Sequence, residues 1–114
     1  MEYAYKGYDF TSDSLDDLKL TERLTIELYK ACCDAAEDLM QINIILGNTG
    51  RAKKLLECII DCTKFCKKYE DKNKIMKFFT SKSDKRKFFV RRMNLHIYFV
   101  DLTESALFTN QFHN

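Results

Sequence analysis

A chain of 114 residues holds one domain built around one core. With 46% hydrophobic and 32% charged residues it is too apolar for disorder and too charged for a bundle immersed in lipid, while zero Pro and three Gly exclude a turn-rich sandwich or barrel. The net charge of +2 conceals an asymmetry: residues 1–50 carry four Lys/Arg against ten Asp/Glu, and residues 51–114 carry fifteen against seven, so the second half suits an anionic partner or the first half of another copy.

In chain order, residues 1–20 show no sustained helical period, although Tyr3, Tyr5, Tyr8 and Phe10 could dock onto a core, and they are expected to form a weakly structured segment. Ser14 and Asp17 have capping-box spacing for a short helix. From Thr21 the series Leu24, Leu28, Ala31, Ala35, Leu39, Ile42 and Leu46 recurs at steps of three and four, which predicts an amphipathic helix over 21–46. Gly47-Asn48-Thr49-Gly50 stops it, glycine supplying the left-handed geometry that satisfies terminal carbonyls. Leu55, Ile59, Cys62, Cys66 and Tyr69 predict a second, antiparallel helix over 51–70.

A charged interruption follows at residues 70–74, then Ile75, Phe78 and Phe79 mark a short segment near 74–80. Ser81 or Ser83, with Asp84, is the expected cap of a third long helix over 83–107, whose stripe is Phe88, Leu95, Phe99, Leu102 and Ala106. Residues 108–114 are expected to be a frayed tail. The expected architecture is a single all-α domain over 1–114, an antiparallel bundle of three long helices plus a short helical segment, a truncated or variant four-helix bundle. Its expected core is Leu24, Leu28, Ala35, Leu39, Leu55, Ile59, Cys62, Phe88, Leu95, Phe99 and Leu102.

Five cysteines, an odd number, follow an opening segment that is aromatic and acidic rather than basic and aliphatic, which points to reduced thiols and a cytoplasmic protein. The longest nearly apolar window, Met40 to Leu46, falls far short of the roughly 20 residues that cross a bilayer, so membrane contact is expected to be peripheral. Cys58, Cys62 and Cys66 lie on successive helical turns, spread along roughly 12 Å of axis, whereas tetrahedral zinc needs four converging ligands. They read as small buried hydrophobes, with no metal and no cofactor. His96 and His113 have no second catalytic residue beside them, and the glycine loop lacks the Lys-Ser/Thr of a phosphate loop, so no catalytic residues and no enzyme activity are expected.

The basic run is the chemical signal. Lys72, Lys74, Lys77, Lys82, Lys85, Arg86, Lys87, Arg91 and Arg92 face one acid, Asp84, and are interleaved with Phe78, Phe79, Phe88 and Phe89. Anionic headgroups would attract each nearby cation by about 1 kcal/mol while apolar side chains insert. Nucleic acid is the weaker partner, because no helix-turn-helix glycine turn, zinc knuckle or aromatic RNA-binding strand accompanies the charge. The remaining alternative is a solvated basic face balanced by the acidic first half.

From Leu55 to Leu102 the order of features resembles the last two long helices of the amino-terminal bundle of mixed-lineage kinase domain-like protein and its HeLo-type relatives. The matching residues are Lys64-Phe65, then Lys77-Phe78-Phe79-Thr80-Ser81, then Asp84-Lys85, then Phe88 or Phe89 and Leu95. The resemblance implies a non-enzymatic cell-death signalling domain that self-associates and binds anionic phospholipid, with the nine cations as lipid contacts. The chain departs from that family at its start, where residues 1–20 are short, acidic and aperiodic instead of a long hydrophobic helix. A second expectation, of a different class, is a soluble helical adaptor that docks a protein partner without touching membrane.

Overall fold

In a computed structural model the backbone is described for residues 4–5, 8–9, 12–46 and 50–113, and side chains for 15–41 and 50–107. Two short strands, β1 (Ala4–Tyr5) and β2 (Tyr8–Asp9), pair antiparallel, with Ala4 opposite Asp9 and Tyr5 opposite Tyr8. Helices α1 (Ser12–Leu46), α2 (Gly50–Glu70), α3 (Lys74–Phe79) and α4 (Ser81–His113) follow. Among the described residues the protein is, apart from the short β1–β2 pair, an all-α bundle of three long helices and one short one, measuring 65 × 21 × 18 Å.

Up-down-up topology follows from the contacts. Tyr69 meets Thr21 and Cys66 meets Thr25, so α2 runs back along α1. Phe65 meets Phe88 and Arg51 meets Asp101, so α4 runs back along α2. Buried positions recur at steps of three and four on α1 (Asp17, Thr21, Thr25, Leu28, Cys32, Ala35 and Leu39) and α2 (Ala52, Leu55, Ile59, Cys62, Cys66 and Tyr69), and at steps of three, four and then seven on α4 (Ser81, Asp84, Phe88, Leu95 and Leu102). That spacing is the seam of helices packed nearly parallel, side chains of one filling gaps in the next.

Nine of the eleven expected core residues are buried, and Leu24 and Phe99 are half-buried against them. Three boundaries differ from expectation. Helix α1 begins at Ser12 rather than Thr21, because its inward positions before Leu28 are Thr25, Thr21 and Asp17, which an apolar period does not register. Helix α4 runs to His113 instead of fraying after Leu107, since neither Gly nor Pro follows to stop it. Neither Ser81 nor Ser83 caps α4: the Thr80 carbonyl accepts the Asp84 N–H at 2.8 Å, while the Thr80 N–H closes α3 on the Met76 carbonyl at 2.9 Å. Asn73 caps α3, its side-chain oxygen accepting the Met76 N–H at 2.8 Å. The Gly47-Asn48-Thr49 stop and the side chains of Ile42 and Leu46 lie outside the described residues.

Candidate functional site

One end of the bundle, where α1 and α4 begin and α2 ends, is held by polar contacts. Asp84 is 1% exposed and receives Lys72 Nζ on both carboxylate oxygens, at 3.1 and 2.9 Å, and the Thr80 hydroxyl at 2.6 Å. Lys85 reaches across to Asp17 of α1 at 2.7 Å. The Tyr69 hydroxyl shares a 3.0 Å hydrogen bond with Thr21, its ring meets Phe88 edge-on at 5.3 Å, and Lys77 Nζ lies 5.0 Å above it. Burial raises the pKa of Tyr69, keeping it a neutral hydrogen-bonding phenol.

Between α2 and α4 runs a groove of about 440 Å³ lined by Lys64, Lys68, Lys72, Lys87 and Arg91, with Asp61 and Asp84, over Phe65 and Tyr69. Arg91 stacks 4.0 Å over the Phe65 ring, and its Nε lies 3.3 Å from Asp61, a charge contact rather than an aligned hydrogen bond. Lys64 and Lys68 stand outside the Lys72–Arg92 run, and sequence reasoning missed them as site residues. The signal was present in part, since Lys64 and Lys68 are four residues apart on one face of α2 and Lys72 follows just beyond its end.

The nine cations of the basic run do not form one surface. Lys72, Lys85 and Arg91 are ion-paired within the bundle, and Lys77 is half-buried over Tyr69. Lys74, Lys82, Arg86, Lys87 and Arg92 are exposed and have no ion pair among the described residues. Arg92 lies toward α1, in a second groove of about 280 Å³ with Asp34, Asp38 and His96. Phe78 is a buried residue, and its ring meets Phe79 edge-on at 6.0 Å.

Helix α4 has a second apolar side. Phe89, Met93 and Ile97 recur every four residues with Val90 beside them, all exposed, opposite the buried Phe88, Leu95 and Leu102. Lys82 and Arg86 prolong that outward stripe toward the start of the helix, so charge and apolar surface are continuous. Nearby, Ile75 and Met76 of α3 are exposed too.

The cysteines occupy the other sides of α2. Cys62 Sγ lies 3.9 Å from the Arg91 carbonyl and Cys66 Sγ 3.9 Å from the Thr25 carbonyl, so these thiols join α2 to both neighbours. Burial pushes the Cys58 and Cys66 thiols up to about 12. Among the described residues no cluster of His, Cys, Asp and Glu is arranged to hold a metal ion, and no helix is long and apolar enough to cross a membrane. No family model, curated protein or solved structure matches the chain.

Proposed function

We propose that the protein is a non-enzymatic signalling bundle that binds anionic phospholipid through the outward side of α4, with self-association as a second element. The carrying observation is the exposed stripe of Phe89, Val90, Met93 and Ile97 continued by Lys82 and Arg86, cations that no carboxylate neutralises among the described residues. Each such cation contributes about 1 kcal/mol beside an anionic surface, and burying a side chain the size of Phe or Met contributes roughly 1.5–3 kcal/mol. Two or three of each are enough for reversible peripheral binding. Lys74, Lys87 and Arg92 add to the attraction, while Lys72, Lys85 and Arg91 support the bundle. The cell-death role rests on the family resemblance. The outward acidic residues Asp16, Glu22, Asp34, Glu37 and Asp38 of α1 offer another copy a charge opposite to that of α4.

Vesicle co-sedimentation tests this reading, with phosphatidylcholine alone and with added phosphatidylserine. Binding is expected only with the anionic lipid, falling at high salt, and lost in Lys82→Glu/Arg86→Glu and in Phe89→Ser/Met93→Ser with helical content unchanged. Lys85 is excluded from the charge reversals because it holds Asp17. Absence of binding by the unmodified chain, or binding indifferent to both double variants, would leave the protein-docking adaptor as the better account.

A further inference from the structure

The groove between α2 and α4 is closed by an ion pair at each end and left uncompensated in its middle. Arg91 lies against Asp61 at one end and Lys72 is held by Asp84 at the other, which occupies both carboxylates of the lining. Between those pairs stand Lys64 and Lys68 of α2 and Lys87 of α4, all exposed and with no ion pair or side-chain hydrogen bond of their ammonium groups among the described residues. Phe65 lies half-buried on the floor, fixed by the Phe88 ring at 4.8 Å and the Arg91 guanidinium at 4.0 Å. We infer that this groove receives a single phosphomonoester, carried as phosphoserine or phosphothreonine on a peptide segment of a partner protein.

The arrangement of charge selects the ligand. A phosphoryl group carries about −1.5 to −2 charge and three acceptor oxygens, so three ammonium groups can each give it a short, charge-assisted hydrogen bond. Lys64 and Lys68 are one helical turn apart on one wall and Lys87 stands on the other, each on a flexible stem, so they can close on one anion without moving the helices. A polyphosphate or a nucleic-acid backbone long enough to fill the groove would set further negative charge toward Asp61 and Asp84 at its ends. The volume of about 440 Å³ leaves room beside one phosphate for neighbouring side chains of a peptide, and Phe65 gives them an apolar floor. The groove opens on the α2 side of α4, round the helix from Phe89, Met93 and Ile97, so the inference does not rest on the lipid reading.

In the test, the full chain, isotopically labelled for amide NMR, is titrated with a short neutral peptide carrying one phosphoserine, with the same peptide unphosphorylated, and with inorganic triphosphate. Saturable movement of the Lys64, Phe65, Lys68 and Lys87 amide signals is expected with the phosphopeptide, and a weaker response or none with the other two. Binding should strengthen from about pH 5 to about pH 7, as the phosphate gives up its second proton near about 6. It should weaken by about tenfold or more in Lys64→Gln/Lys68→Gln, with helical content unchanged. Lys82→Glu/Arg86→Glu, which is expected to lose vesicle binding, should keep the phosphopeptide response, so the two readings fail separately. No saturable movement, an equal response to the unphosphorylated peptide, tighter binding of triphosphate at the same residues, or full affinity in Lys64→Gln/Lys68→Gln would overturn the inference.

Discussion

The two ends of the bundle are built from different chemistry. Away from the α3 end the helices meet through Leu28, Ala35, Leu39, Ala52, Leu55, Ile59, Leu95 and Leu102 with cysteines between them, whereas at the α3 end they meet through Asp17, Thr21, Tyr69, Lys72, Thr80, Asp84 and Lys85. Apolar contacts are non-directional and tolerate many registers, while a carboxylate that must take an ammonium on both oxygens fixes one. The apolar length therefore supplies most of the stability, and the polar end sets how α4 lines up with α1 and α2. Those contacts also consume cations, which is why a run of nine charges yields a smaller exposed set on α4.

The largest separation between the two regions should come from Leu55→Ala, at a position with 0% exposure, which is expected to cost about 2–5 kcal/mol in a denaturant titration. Phe99→Ala, half-buried, should cost less, and equal losses would break the burial ranking. At the polar end, Asp84→Ala leaves the Lys72 ammonium and the Thr80 hydroxyl without their acceptor, and about 1–3 kcal/mol is expected to go. Asp17→Ala opens a more exposed pair and should cost about 0–1 kcal/mol; the reverse ranking would move the register-setting contact from Asp84 to Asp17.

Alkaline titration sharpens the contrast further. Unfolded thiols lose their protons near an ordinary value of 9.0, while burial keeps Cys58 and Cys66 protonated to about 12, so the folded state holds more protons across that window. Stability is then full below about pH 9 and declines as pH rises toward 12. Cys66→Ala should be less stable at neutral pH yet show a shallower decline, and an unchanged slope would mean that other groups carry it. The smallest effect on folding is expected from Lys82→Glu with Arg86→Glu, within about 0.5 kcal/mol of the parent. Lys85→Glu, which sets a carboxylate against Asp17, should cost more than that pair, and chemical denaturation distinguishes the two.

Much of the apolar length was legible because period and burial coincide: Leu28, Ala35, Leu39, Leu55, Ile59, Leu95 and Leu102 all lie where the step pattern puts them. The polar end was not. Asp17, Thr21 and Thr25 look like surface residues until Lys85, Tyr69 and the α1 backbone are placed around them, and those partners lie far away in sequence or, for Thr25, in its own helix. The basic run was visible as composition, but its division into ion-paired and exposed members depends on which way each helix turns. The outward stripe of α4 was obscured for a related reason. Phe89, Val90, Met93 and Ile97 alternate with core positions, so the helix reads as apolar nearly all round and neither side stands out.

Tyr69 touches α1 through Thr21, α3 through Lys77 and α4 through Phe88, in a chain with six tyrosines and no tryptophan. Optically the molecule is therefore dark where most proteins emit. An indole placed by Phe89→Trp would be the sole long-wavelength fluorophore, free of background from the core. Its blue shift on meeting vesicles would report the outward side of α4 without any signal from the joint at Tyr69.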